Sequence, residues 1–385
     1  MMHKLPSNWI TATFENAFEK MPKSTITAGE GQETGKYRFF TSSSEQTMHI
    51  DTAVFDGEFL IFGTGGNPSI HYCNEKFSTS TDCWVMKGKF PDLDLKYVYY
   101  FFKGNRALLQ RGFRGAGLKH LSRDYLNAVQ IPKPSLETQR KIVSILEKAE
   151  KLKENRAQAD ELTGEFLKAV FYEMFGDPVR NEKKWQKCKL SDILAIKLNS
   201  GWSPVCSDKK GDLPVLSLAN LTENGLSSDI EKYYEGNPRH RGVDLEIGDL
   251  LISRSNVREL VGRIGRYIGM PKKVLYPDLM IRMRLDNKKA SSIFFEKYLQ
   301  NSSVKKIIQS VAHGSSGSMV KISQGDLEEI QVILPPIELQ NKFAKIVEQV
   351  ESIKQRQTDS KKQIDDLFNV LMRDAFNGKL SGGTE

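Results

Sequence analysis

The sequence predicts an α+β protein in which two globular lobes of mixed short strands and helices alternate with two long helices. Three observations predict it. One segment is written twice at a constant offset of 201 residues. Each copy runs into a long helical pattern with an apolar seam. The stretches before each copy carry short strand-like runs between turn residues, with no βαβ alternation.

The first copy reads Leu121-Ser122, then Leu126, Gln130, Pro134, Glu137, Gln139, Lys141, Ile145, Glu147, Glu150 and Lys153. The second reads Ile322-Ser323, then Leu327, Gln331, Pro335, Glu338, Gln340, Lys342, Ile346, Glu348, Glu351 and Lys354. From the serine on, each pair is the same residue type, and the offset still holds at Phe175 and Phe376. Helical periodicity alone demands nothing of the P-x-x-E-x-Q approach, so the match marks a duplication.

Pro134 and Pro335-Pro336 end strand-like runs at Ala128–Ile131 and Ile330–Leu334, because proline cannot continue a ladder and suits a helix start. Beyond them, apolar residues recur in alternating steps of three and four, the spacing of a coiled-coil seam. The candidate knobs are Ile142, Ile145, Leu152 and Phe166 in the first helix, and Phe343, Ile346, Ile353 and Leu367 in the second. Each helix is expected to run for about 35–40 residues, roughly 50–60 Å. Two such helices in one chain bury their seams most economically on each other. Arg156 and Gln357 occupy the same middle layer, where they either fix register or leave a solvated break.

In order, the first lobe opens with Leu5-Pro-Ser-Asn-Trp9 and a short helix around Phe14–Phe18. Strands are expected at Tyr37–Phe40, Val54–Phe62, Ile70–Tyr72 and Cys83–Met86, with a helix over Leu93–Leu109. Asp56-Gly57 and Gly63-Thr-Gly-Gly-Asn-Pro68 supply turns. The second lobe opens alike, Trp185 through Ile193 matching Trp9 through Ala17 in spacing. Its strands are expected at Leu213–Leu218, Asp249–Ser253 and Met280–Leu285, and its helices at Ser292–Gln300 and Val304–Val311. Glycine-rich runs, Gly115–His120 and Gly314–Lys321, lead into the two repeated segments.

At 385 residues the chain has room for two or three domains. It contains no run of 18 apolar residues and Met1–Trp9 lacks an apolar signal core, so a cytoplasmic protein without membrane contact is expected. Cys73, Cys83, Cys188 and Cys206 form no C-x-x-C pair and are expected as reduced, mostly buried thiols. The net charge of +8 is unevenly divided. Residues 1–133 carry 16 Lys+Arg against 13 Asp+Glu (+3), and residues 177–335 carry 25 against 19 (+6). The helical segments 134–176 (7 against 8) and 336–385 (8 against 8) are close to neutral. Basic lobes joined by neutral helices suggest a polyanion bound in two places.

Catalytic motifs are missing. Asn67-Pro68 and Asp177-Pro178 lack the second proline and the aromatic of a methyltransferase's target-base loop. Gly63-Thr-Gly-Gly is followed by Asn-Pro, which opens a helix poorly. No Walker loop occurs. Pro91-Asp92-Leu-Asp94-Leu-Lys96 has the letters of a nuclease motif, but its acids share one short loop. Six scattered histidines without H-x-x-x-H make a zinc site an unattractive reading, and no cofactor is expected.

Binding chemistry is better represented. Arg239, Arg241, Arg254, Asn256, Arg258, Arg263 and Arg266, with Lys272-Lys273, Arg282 and Arg284, crowd into one stretch of the second lobe. Arginine's planar fork suits guanine and phosphate, and asparagine suits adenine. In the first lobe Arg111, Arg114, Lys119 and His120 flank glycines that let backbone approach phosphate, and Lys321 stands at the corresponding place in the second. Any one of these residues reads more readily as a solvated surface charge; as a set they favour nucleic acid.

The paired L-S-x-x-x-L-x-x-x-x-(I/V)-x-x-P-x-x-E-x-Q segments, each followed by a long helix, resemble the conserved regions of the specificity subunit of Type I restriction-modification systems. The resemblance covers nearly the whole chain, with Lys133-Pro134 standing where the second copy has Pro335-Pro336. It implies target-recognition domains at 1–133 and 177–335, conserved helices at 134–176 and 336–380 forming an antiparallel coiled coil, and a disordered tail at 381–385. It implies a DNA-binding subunit without catalysis of its own, each lobe reading one half of a bipartite double-stranded target while the coiled coil sets the spacer. It further implies assembly with two adenine-N6 methyltransferase (M) subunits and with endonuclease/translocase (R) subunits. Two other readings compete: a non-DNA coiled-coil scaffold with two ligand-binding lobes, which salt-dependent binding to duplex DNA separates, and a single-chain enzyme, which methyl transfer by the isolated chain separates.

Overall fold

The computed structural model describes residues 5–208, 211, 213–236, 245–314 and 319–381. In the first lobe β1 (Ile10–Thr13), α1 (Phe14–Ala17), β2 (Phe18–Lys20), β3 (Tyr37–Phe40), β4 (Met48–Ile50), β5 (Phe59–Gly63), β6 (Ser69–Cys73), β7 (Phe77–Thr79) and β8 (Cys83–Gly88) precede the helices. Next come α2 (Leu95–Gly104), α3 (Arg106–Gln110), β9 (Phe113–Arg114), β10 (His120–Leu121), α4 (Arg123–Asn127), β11 (Gln130–Lys133) and the long α5 (Leu136–Phe175). The helix expected over Leu93–Leu109 is thus two helices broken at Asn105, whose side-chain amide donates to the Phe101 carbonyl at 2.8 Å and closes the first.

The second lobe contains β12 (Gln186–Lys189), β13 (Asn199–Ser200), β14 (Leu213–Val215), β15 (Leu221–Thr222), β16 (Gly225–Leu226), β17 (Lys232–Tyr234), β18 (Leu250–Ser253), β19 (Ser255–Asn256), β20 (Ile264–Arg266) and β21 (Met280–Met283). It closes with α6 (Ser292–Gln300), α7 (Ser302–Ser310), β22 (Val320–Lys321), α8 (Gln324–Glu328), β23 (Gln331–Leu334) and the long α9 (Ile337–Phe376). The expected tail at 381–385 lies, beyond Ser381, outside the described residues.

Two compact units result: Met1–Ala159 with Gln357–Glu385, and Asp160–Arg356. Each contains one lobe, the first half of the helix that follows that lobe, and the last half of the other helix. In the first unit β2-β8-β5-β6 form a four-stranded antiparallel sheet, with β5 buried along its whole length. In the second, β13-β21-β18-β20 do the same around the fully buried β18. Each lobe is also closed by its own ends. β1 pairs antiparallel with β11, and β12 with β23, so the tryptophan-led opening segments meet the strands before the proline motifs.

The repeated residues now have physical reasons. Ser122 and Ser323 cap α4 and α8, their hydroxyls accepting from Tyr125 N–H at 3.3 Å and Asp326 N–H at 3.0 Å. Leu126 and Leu327 are buried beneath those turns. Gln139 is fully buried: its amide donates to the carbonyls of Asp92 (3.0 Å) and Pro134 (2.8 Å), and its oxygen accepts from Asp94 N–H (2.8 Å) at the start of α2. Gln340 repeats this with Lys289 (3.2 Å), Pro335 (2.7 Å) and Ser291 N–H (2.9 Å) at the start of α6. Each glutamine pins a strand end, a loop and a helix start together, satisfying groups that are costly to bury alone. Glu150 accepts from Tyr100 at 2.6 Å and pairs with Lys103, while Glu351 pairs with Arg266 at 3.2 Å and Lys297 at 3.3 Å. These acids tie each lobe to its own helix.

The two long helices run antiparallel and pack together. In the first unit Lys153 of α5 bonds Asp365 of α9 at 2.7 Å and lies over the Phe368 ring. That hydrogen bond, with Lys153 and Lys361 nearby, holds the Asp365 carboxyl below its usual range. In the second unit Phe171 and Phe175 of α5 stack against Phe343 of α9 and Phe294 of α6. The spacing of the seam is as expected, but its second knob falls one residue later. Ile142 and Phe343 are buried and Ile145 and Ile346 half-buried, whereas Leu152 (49 % exposed), Phe166 (52 %), Ile353 (40 %) and Leu367 (48 %) face outward. The inward positions are instead Leu146, Val347 and Phe368, with Lys153 supplying its stem to the Phe368 ring. The lobes take the side of each helix that a free coiled coil would turn to water, and the helices rotate accordingly. Arg156 and Gln357 are half-buried and partnered.

Cys73 and Cys83 are buried, Cys188 and Cys206 half-buried, and all four are free thiols. Burial pushes the Cys83 thiol up to about 12. Among the described residues no helix is long and apolar enough to cross a membrane.

Candidate nucleic-acid interface

The end of each central strand delivers its following residues to an exposed edge. In the first lobe β5 ends at Gly63, and Thr64-Gly65-Gly66 runs against the hairpin of β9 and β10. Leu121 N–H donates to the Thr64 carbonyl at 2.9 Å, Gly66 N–H to the Lys119 carbonyl at 3.1 Å, and Gly65 bridges to His120. Within the hairpin Arg114 faces His120 and Phe113 faces Leu121. Phe113 and Leu121 enter the core, which leaves Arg114 and His120 on the outside. Arg111, Arg114, Lys119 and His120 are all exposed; Arg114, Lys119 and His120 share the hairpin, and Arg111 caps the end of α3 before it.

The second lobe repeats the arrangement with other residues. β18 ends at Ser253, Arg254 follows, and β19 pairs antiparallel with β22, Ser255 opposite Lys321 and Asn256 opposite Val320. Backbone bonds of 2.8 Å in both directions join Lys321 to His313. Arg254 donates to the Ser200 hydroxyl at 3.0 Å, and the Gln324 amide donates to the same oxygen at 3.1 Å. Asn256 folds back to accept from Val257 N–H at 2.8 Å. Arg254, Asn256 and Lys321 therefore meet at one edge, with exposed Arg258 just beyond.

Other members of the basic set lie elsewhere. Arg263 is half-buried, donating to the Leu221 carbonyl at 3.3 Å and lying 3.7 Å from Glu223. Arg266 is withdrawn between Glu296 and Glu351, both at 3.2 Å, where its charge secures the junction of lobe and helix. Arg284 forms a fork with Asp249 at 2.8 Å, and Arg282 is buried. A crowd of arginines in sequence thus divides into a structural group inside and a smaller group at the edge; sequence alone cannot sort them, because their acidic partners are remote in the chain. Arg239 and Arg241 lie outside the described residues. Asp92 and Asp94 are no carboxylate pair: Lys133 bonds Asp92 at 2.6 Å and lowers its carboxyl from the usual range, and Asp94 caps α2 by accepting from Tyr97 N–H at 2.9 Å.

Sequence reasoning missed Ser200 and Gln324, which orient Arg254, and the Thr64-Gly65-Gly66 turn as part of an edge. The signal for the turn was present in the glycine run that follows a strand of apolar residues.

Two units of like build, each carrying its central strand to an exposed edge against the segment before the P-x-x-E-x-Q motif, define a duplicated scaffold. The profile of the type I restriction modification DNA specificity domain matches residues 6–162 and 182–377. The chain belongs to that family. It is 21 % identical to the type I restriction enzyme EcoDI specificity subunit of Escherichia coli, over 98 % of this chain and 90 % of that protein. It is 20 % identical to the MjaVIII specificity subunit of Methanocaldococcus jannaschii, over 85 % of this chain and 80 % of that protein. Its fold matches the crystal structure of a type I restriction-modification system S subunit from M. genitalium, with a TM-score of 0.65 at 18 % identity, over 97 % of this chain and 98 % of the other.

Proposed function

We propose that the chain is the non-catalytic, DNA-reading subunit of a type I restriction-modification complex, with target-recognition domains at 1–133 and 177–335 each contacting one half of a bipartite duplex target. The observation that carries this reading is the pair of exposed edges. They occupy the same place in two like scaffolds yet hold different residues: Thr64-Gly65-Gly66 with Arg114 and His120 in one, Arg254-Ser255-Asn256 with Lys321 in the other. A duplicated frame with divergent contacts is what two half-sites of different sequence require. Arg111, Arg114, Lys119, His120, Arg254, Asn256, Arg258 and Lys321 are the contacts proposed for bases and phosphates.

The helices are proposed to dock two methyltransferase subunits and, on the full complex, endonuclease subunits. Support comes from apolar residues left outward at repeated positions, Leu152 with Ile353 and Phe166 with Leu367. Glu137 with Glu338 and Lys141 with Lys342 are likewise repeated and exposed. A second occurrence of an outward side chain that neither core uses fits two copies of one partner. The helix length between the lobes is proposed to set the spacer of the target.

The test is exchange of residues 177–335 for the matching segment of a relative, followed by methylome sequencing of a host expressing the hybrid with its methyltransferase partner. One half of the methylated sequence changes and the other is kept. Change in both halves, or in neither, refutes the two-reader model.

A further inference from the structure

Both edges present an apolar side chain to water at the same place. Leu118 is 70 % exposed at the tip of the β9–β10 hairpin, and Met319 is 51 % exposed immediately before β22. They stand at the repeat offset from one another, one residue ahead of Lys119 and Val320. Single exposed apolar residues are ordinary on a protein surface. Recurrence at equivalent positions of two lobes whose other surface residues differ is not.

The sequence around each is poor in acids, Asp326 beside His313 being the nearest in the second lobe. Between Leu95 and Arg123 the chain has seven basic residues and no Asp or Glu, and between Lys297 and Gly325 it has four and none. Arg114 and Lys119 flank Leu118, Lys321 follows Met319, and all three are exposed. Val257, which directly follows β19, is exposed too. Near Leu118, Gly117 meets no atom within 4 Å of where a Cβ would sit, and its backbone is not left-handed. Neither packing nor conformation of the chain itself calls for a glycine there. It leaves room for a body that approaches the loop.

We infer that Leu118 and Met319 are wedges that enter the duplex between neighbouring base pairs, one in each half-site, while the flanking basic residues hold the phosphates. This rests on the DNA-reading function proposed above. Duplex DNA is the occupant whose chemistry fits: an anionic exterior for Arg114, Lys119 and Lys321, and an apolar stacked interior for the side chain at the tip. Leucine and methionine are among the residues that unstack base steps in this way, and the distortion lets more protein surface reach the DNA. Each lobe would therefore favour flexible steps at the wedge position in addition to the bases that its polar residues touch.

The experiment uses the full chain in complex with its methyltransferase subunits, without S-adenosylmethionine, on relaxed closed-circular plasmid treated with topoisomerase I. Plasmid occupancy is measured in parallel by filter binding. The wild-type complex lowers the linking number in proportion to the complex bound. The Leu118→Ala, Met319→Ala double variant lowers it at least about twofold less at equal occupancy, and Leu118→Met, Met319→Leu restores the shift. An equal shift per bound complex in the double alanine variant, or plasmid binding with no shift at all, overturns the wedge. Failure of the wild-type complex to bind plasmid overturns the DNA-reading function itself, and the wedge with it.

Discussion

Gln139 offers a sharp test of how each unit is held together, because replacing its amide by an isosteric carboxylate changes hydrogen-bond direction and little else. In Gln139→Glu the oxygen that accepts from Asp94 N–H can stay, but the group that donates to the Asp92 and Pro134 carbonyls becomes an acceptor. Two buried carbonyls lose their donor, at about 1–3 kcal/mol each, which sums to roughly 2–6 kcal/mol. The new carboxylate is also buried, so its folded pKa rises above the ordinary glutamate value of about 4.3. A raised acid pKa makes the cost largest at neutral pH and smaller as pH falls through the folded value, where the protonated acid regains one donor. Glu137→Gln, two residues away on the exposed side, is the control and costs less than about 0.5 kcal/mol. Urea midpoints across pH read the magnitude, and hydrogen exchange at the first turn of α2 reads the location. A Gln139→Glu protein that unfolds with its control, at every pH, refutes the pinning role.

Phe171→Ala, deep among Phe175, Phe294 and Phe343, costs about 3–5 kcal/mol in chemical denaturation, whereas Phe166→Ser costs less than about 1 kcal/mol yet reduces co-purification with the methyltransferase subunit. Matched heptad insertions after Asn155 and Arg356 lengthen both helices by about 10 Å and keep the seam in phase. Methylome sequencing then finds both half-site sequences kept and a longer spacer, while an unchanged spacer assigns that distance to the lobes or the docked subunits. The hydrogen bond from Ser323, with His313 alongside, holds the Asp326 carboxyl below its usual value of 3.8. Its contribution to stability is present above that value and lost as pH falls through the lower folded one. Acid-unfolding curves of wild type and Asp326→Asn therefore converge at low pH and separate above it; parallel curves refute the assignment.

The repeat was the most legible part of the chain, since capping serines, buried leucines and breaking prolines act through neighbours a few residues away. Ser292–Gln300 and Tyr37–Phe40 lie where sequence spacing puts them for the same reason. The seam was legible in period and not in phase, because phase depends on which face the lobes cover. Leu152 is a better coiled-coil residue than Lys153, yet it is the exposed Lys153 that reaches the partner helix, because Asp365 and Phe368 are there to receive it. At the candidate edges, Arg111, Arg114, Lys119 and His120 were legible as basic residues among glycines, and the hairpin that carries Arg114 and His120 was a finding of the structure. The inward fate of Arg266 was not legible, since Glu296 and Glu351 are 30 and 85 residues away.

The sharing of each long helix between two units has a consequence for the order in which the chain is made. Residues 160–356 are continuous, so every part of that unit is synthesised before the residues from Gln357 on that complete the other. The other unit begins with the N-terminal residues and ends with the C-terminal ones. Phe368, Met372, Ala375 and Phe376 belong to the same apolar cluster as Trp9, Phe14 and Ile142. The lobe synthesised first is thus the last to close its core, against the usual N-to-C sequence of cotranslational folding. Until the second half of α9 is made it keeps an apolar face open, and a chain cut short within α9 forfeits the integrity of its earliest lobe.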